Sequence, residues 1–200
     1  MKNSSTLKIF VLLVVVAALC ASSSCASVSS EQRSSQTANV ERRASDPTLD
    51  KFAAYRSWHL VNPEPVKMDE RVAILCAPIF PRGTENPHAE KFISVYVNDA
   101  GRDAMFNERS PKFPRGSMIV KEKLGSKESR SPELLTAMLK REEGYDAKNG
   151  DWEYLVLDGA ATRILEQGKL ESCQSCHTWR KQTDYIFRIY APPDVYRQLK

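Results

Sequence analysis

The chain is short of the residues that most readily build metal sites, membrane spans or nucleic-acid surfaces. It has only three histidines and five cysteines in 200 residues. Apart from one local cluster, these share no paired spacing of the kind that a four-ligand structural zinc site needs. The main apolar run, residues 9–19, is about half the ~20 residues needed to cross a bilayer as a helix. No segment repeats. Charge of neither sign dominates, since 29 Lys and Arg stand against 25 Asp and Glu, a net charge of +4. The basic residues between Arg109 and Arg130 alternate with Glu108, Glu122 and Glu128, which describes a solvated face. A nucleic-acid partner, which would want a concentrated basic stripe, is therefore excluded.

What is present begins with an export signal. Lys2 and Lys8 precede the apolar run, small residues follow it, and Ser24-Cys25-Ala26 forms a cleavage site, so residues 1–26 read as a signal peptide. Cys20 and Cys25 raise the alternative of a lipid anchor, the one route to a membrane. Leu19 stands where a small residue is wanted before Cys20, however, and Ser22 where an aliphatic is wanted before Cys25. Residues 27–46 are rich in Ser, Gln, Arg and Ala and have no aromatic residue, which makes them a flexible leader. Residues 47–200 remain as one domain, expected in the periplasm or outside the cell.

Export leaves three cysteines: Cys76, Cys173 and Cys176. An odd count is awkward for a disulfide framework but natural for two bonded cysteines plus one thiol. Cys76 ends an apolar stretch and reads as a small buried hydrophobe. Cys173-Gln174-Ser175-Cys176-His177 is the cluster that carries chemistry. Two thiols three positions apart can add to the two vinyl groups on one porphyrin edge, and the following imidazole can then ligate the iron. This C-x-x-C-H pattern is the attachment signature of a c-type haem. A thioredoxin-type dithiol would want a βαβ setting, which is missing. Zinc would have to recruit its remaining ligands from Cys76, His59 and His88. The pattern predicts one haem c bound through Cys173 and Cys176, with His177 as metal ligand. Candidates for a sixth ligand are His59, His88, Met68, Met105, Met118 and Met138; an open position, suited to small-molecule chemistry, is preferred.

Strand character marks residues 92–97, 118–124, 152–157 and 185–190, with 72–76 weaker. Helices are expected over 49–58 behind Asp46-Pro47, over 99–106 behind Asn98, and over 134–141 behind Ser131-Pro132-Glu133. A further helix over 161–179 should carry the attachment motif, and 148–151 should turn into the tryptophan strand. The expected fold class is α+β and β-rich: a mostly antiparallel sheet of about five strands, peripheral short helices and a C-terminal haem-attachment helix. Only 23 residues follow His177 and none is Met. That excludes the common small electron-transfer cytochromes, whose motif lies early with an axial Met downstream. The strands exclude a four-helix cytochrome.

Residues 112–122, ending Met118-Ile119-Val120-Lys121-Glu122, resemble the F-x-x-G-x-x-x-V-K-E strand of the cytochrome P-460 family. Residues 95–98, Gly144-Tyr145, 149–154 and the late C-x-x-C-H followed by 184–187 fall in that family's order. The resemblance, over about 52–190, implies a β-rich, usually homodimeric periplasmic haem protein with His-ligated iron open on its distal side. It also implies oxidation of hydroxylamine, with electrons passed to a soluble electron-transfer partner. The related cytochrome c-prime-beta proteins imply binding of nitric oxide without turnover. Lys121 matches the lysine that enzymatic members join to the porphyrin edge. On an alternating strand Ile119, Lys121 and Lys123 share a face, so Lys123 competes only if the register slips by two. The sequence departs from the enzymatic pattern in lacking a carboxylate over 134–141. Met138 and Leu139 would make an apolar distal wall there, suited to a neutral diatomic.

Overall fold

A computed structural model describes residues 47–75 and 89–198, all within the unit Val40–Lys200. The expected signal and leader, Cys20, Cys25, Cys76 and His88 lie outside the described residues. Among the described residues, no helix is long and apolar enough to cross a membrane.

Seven antiparallel strands form one sheet. They are β1 (His59–Leu60), β2 (Val66–Lys67), β3 (Phe92–Val97), β4 (Met118–Leu124), β5 (Leu134–Lys140), β6 (Trp152–Asp158) and β7 (Ile164–Gly168). Their order is β1-β3-β4-β5-β6-β7, with β2 also paired to β3. The helices are short: α1 (Pro47–Asp50), α2 (Glu70–Leu75), α3 (Arg102–Phe106), α4 (Glu171–His177) and α5 (Pro193–Gln198). The fold is thus α+β and β-rich, as expected; β3, β4 and β6 were foreseen as strands, whereas β1, β2, β5 and β7 were not.

β3, β4 and β6 are buried along most of their length on both faces, and β3 and β6 are rich in the β-branched and aromatic residues that suit such strands. Asn98 caps the turn Asp99–Gly101 ahead of α3, its Oδ1 accepting from the Gly101 N–H at 3.2 Å. Residues 148–151 turn as expected, with Gly150 at φ 71° and Asp151 at φ 56°. Asn62 fills the gap between β1 and β2. Its Oδ1 accepts from the Val95 N–H at 2.8 Å, and its Nδ2 donates to the Ile93 carbonyl at 2.8 Å. A side chain thereby completes the β3 ladder where no backbone neighbour does.

Five local expectations fail. Residues 134–141, expected as a helix, are β5, because β4 and β6 flank them and pair with every backbone group along their length. The helix over 161–179 breaks into β7, α4 and a short 3-10 segment, Thr178–Thr183. Residues 185–190 form no strand: Asp184 and Tyr185 both have positive φ (51° and 68°), which no ladder accommodates. Residues 72–75 belong to α2, and the helix over 49–58 is only α1, turns and a 3-10 piece at Tyr55–Ser57.

The two faces of the sheet carry separate cores. Val120, Leu135, Leu139, Leu155 and Leu157 pack against Phe52 and Tyr55 on one face. On the other, Ile93, Val95, Ile119, Met138 and Tyr154 meet Ile186 and Tyr190 from the C-terminal segment. Buried Arg188 pins that segment, donating to the carbonyls of Ala104 (2.8 Å) and Glu108 (2.5 Å).

Candidate functional site

Period-2 alternation places one set of side chains from each strand on the second face. Register then orders them in rows. One row runs Val97, Ile119, Met138, Tyr154, Gly168; the next Val95, Lys121, Thr136, Val156, Glu166; a third Ile93, Lys123, Leu134, Asp158. Between this face and α4 lies a mostly apolar cavity of about 380 Å³. His177, Cys173, Cys176, Lys121 and Lys123 all line it.

α4 starts just after Gly168, which at φ 126° turns the chain off β7. The Cys173 and Gln174 N–H groups both donate to the Leu170 carbonyl. Gln174, inside the motif, donates to Asp146 at 2.6 Å, which ties the helix to the loop before β6. Cys176 is buried, Cys173 is partly so, and neither is joined in a disulfide. Burial pushes the Cys173 thiol up, while Ser172 and the charges of Lys121 and Lys123 pull it down.

The His177 Nδ1 lies 2.6 Å from the Tyr185 carbonyl. A carbonyl can only accept, so Nδ1 carries the proton and Nε2 keeps its lone pair. Tyr154 and Phe187 hold the ring by edge contacts, with centroids at 5.3 Å and 5.1 Å. Burial drives the imidazole pKa down to about 4 against the opposing bond to Tyr185, and Lys121 lowers it further, so the ring is neutral at pH 7.

The Tyr185 carbonyl is itself positioned by Asp184. That carboxylate is buried, meets the Lys140 ammonium at 2.7 Å and accepts from the Phe113 N–H at 2.9 Å. The Asp184 carbonyl accepts from the Trp152 indole at 2.8 Å. The αL geometry of Asp184 and Tyr185 is thus held from three elements.

Lys121 faces the cavity in the middle row. Lys123 does so too, with β4 in an unshifted register: Lys121 opposes Val95 and Thr136, Lys123 opposes Ile93 and Leu134. No slip is needed for both to reach the site. The wall expected from Met138 and Leu139 needs correction, because β5 is a strand and adjacent residues point oppositely. Met138 faces the cavity, whereas Leu139 lies in the other core.

Of the candidate sixth ligands, Met68 and Met138 line the cavity. Met105 is core, Met118 packs with the opposite face, and His59 bonds Asp99 at 2.7 Å. Glu166 is the one carboxylate among the described lining residues. It escaped sequence reading because β7 looked helical. Tyr154 was missed as a site residue because nothing in a strand pattern marks it; its hydroxyl is buried with no hydrogen-bond partner.

Two thiols, an imidazole with its metal-binding nitrogen unprotonated and an apolar wall are the donor set and surroundings that a covalently held haem requires. The chain matches the family model for cytochrome P460 over residues 53–188. It belongs to that family, and is accordingly a haem c cytochrome. No curated protein matches it.

Proposed function

We propose that the protein is an exported mono-haem c-type cytochrome whose iron is open on the side away from His177, oxidising or binding small nitrogen species such as hydroxylamine or nitric oxide. The observation that carries this is the His177 ring, its Nδ1 proton committed to Tyr185 and its Nε2 left for a metal beside two thiols outside any disulfide. Cys173 and Cys176 would hold the group, each S–H adding across a vinyl double bond to leave a thioether with no oxidant required. His177 would ligate the iron, and Lys121 would touch or bond the porphyrin edge. Bound there, the group supplies a one-electron centre that also takes small ligands. The Tyr185 carbonyl fixes the imidazole tautomer, and the Asp184–Lys140 pair fixes that carbonyl. The apolar lining keeps bulk water from the site.

Turnover of hydroxylamine needs a group to accept its protons within hydrogen-bond reach. Glu166 is the lining carboxylate, but it stands exposed on the edge strand β7. Binding of nitric oxide without turnover is the second reading, favoured by the apolar lining. A plain electron carrier needs a sixth protein ligand, and Met68 is the residue placed to offer one. Electrons would pass to a soluble partner in the periplasm, and the chain would work as a homodimer.

Intact mass of the matured protein tests the proposal. One haem added to the mature chain, and none in Cys173→Ala/Cys176→Ala, is expected; a colourless chain with titratable thiols refutes it. Comparison with Lys121→Ala reveals any hydrogens lost to a lysine–porphyrin bond. A high-spin ferric spectrum with rapid nitric oxide binding removes the carrier reading.

A further inference from the structure

The rows of the sheet order the cavity along one direction. The row of Ile119, Met138 and Tyr154 is the imidazole's end, because the Tyr154 ring meets His177. One step on, the Lys121 charge bears on both His177 and Cys173. A second step, about 6.6 Å further along β4, reaches Lys123, whose charge bears on Cys173 and is not among those acting on His177. The same far end holds Leu134, the cross-strand neighbour of Lys123, and Met68, just past the β2 residue that pairs with Phe92. Lys123 therefore lines the end of the cavity away from the imidazole.

Lys123 is also unusual in its exposure. Only 2% of the residue is accessible, although it is a lysine in the middle of an apolar face. Holding an ammonium there is costly. Lys123 has interactions within the protein. Its three N–H bonds on a rotatable centre can serve a small ligand as well.

We propose that Lys123 is the cationic hydrogen-bond donor of the ligand side of this cavity, and that the site accordingly selects small anionic, hydrogen-bond-accepting nitrogen ligands of the nitrite and azide type over neutral diatomics. This deepens the open-iron reading above and rests on it. The cavity lining is mostly apolar, so the ammonium's attraction for an anion is screened less than it would be at a surface.

The test compares the matured holoprotein with Lys123→Met and Lys123→Arg. Azide and nitrite are titrated into the ferric forms, and carbon monoxide, a neutral probe, into the ferrous forms. K123M should bind both anions about ten- to a hundredfold more weakly, with carbon monoxide affinity nearly unchanged, and K123R should recover part of the loss. The C–O stretching band should also rise in K123M, since a positive donor near the bound oxygen lowers it. If K123M does not accumulate, Lys123→Gln replaces it with the same expectation for the anions. Equal anion affinity and an unmoved C–O band in a protein that binds all three probes overturn the role of Lys123 alone. A wild-type protein that binds none of the probes overturns the open-iron reading together with this one.

Discussion

Asp184→Asn would remove one charge without changing shape, at the residue on which the imidazole geometry depends. Asn tolerates the left-handed backbone at φ 51° nearly as well as Asp, so the turn itself is not penalised. What changes is electrostatic. The Lys140 ammonium, with only 13% of its side chain accessible, loses its counter-charge. The Asn carbonyl oxygen can still accept from the Phe113 N–H, and the Trp152 ring, 4.9 Å from the ammonium, remains. Breaking a buried pair from one side costs about 3–5 kcal/mol; the surviving contacts place this case near 3. For a domain of this size each kcal/mol moves Tm by about 2–4 °C, so a fall of roughly 6–12 °C is expected. Urea melts of wild type, D184N, Lys140→Met and the double variant measure it. The double variant should be more stable than the sum of the single losses implies, because it leaves no orphaned charge. A loss under about 1 kcal/mol in D184N, or strict additivity in the cycle, would refute the claim that this pair holds the Tyr185 carbonyl in place.

Three further outcomes follow from the structure. In protein prepared without cofactor, stability should fall as pH drops from about 6.5 toward 4. His177 stays neutral in the folded chain down to about 4 while the unfolded chain takes up its proton near 6.5, so acid favours unfolding over that interval. Acid-series urea melts check this, and His177→Phe should flatten the slope there. Asn62→Ala should cost about 2–4 kcal/mol by leaving the Ile93 carbonyl and Val95 N–H without partners, and hydrogen exchange at the Val95 amide should quicken. Gly159→Ala would place a Cβ 1.9 Å from the Pro132 carbonyl oxygen, so the backbone must move. A Tm lowered by several degrees is expected from that overpacking, about 1–3 kcal/mol, and an unchanged melt would contradict it.

The central strands were legible because residues 92–97 and 152–157 are rich in β-branched and aromatic residues, and 118–124 starts apolar and then alternates. β5 was not. Leu134, Leu135, Ala137, Met138 and Leu139 are good helix formers behind a Ser-Pro-Glu that imitates a cap, and only the two flanking strands decide otherwise. The same bias hid β7 and with it Glu166. Residues 185–190 misled in the other direction: Ile186, Phe187 and Tyr190 are bulky because they close the cavity and Tyr185 because it packs in the core, not because they sit in a ladder. For the site, the attachment pentapeptide was readable from spacing, and the shared face of Lys121 and Lys123 from alternation. The Tyr185 carbonyl, the Asp184 brace and the Asp146 tie to Gln174 were not, since each joins residues that only the folded chain brings together.

Five of the seven strands pair in chain order, β3 to β4 and so on to β7, and α4 follows after the last of them. Such a meander is built from successive hairpins and needs no long crossover to complete it. The Cys-x-x-Cys-His segment is therefore added after the strands are laid down, while Lys121 and Lys123 are built into β4. The same tail closes the second core through Ile186 and Tyr190, so exchanging it would alter the packing of that face along with the chemistry.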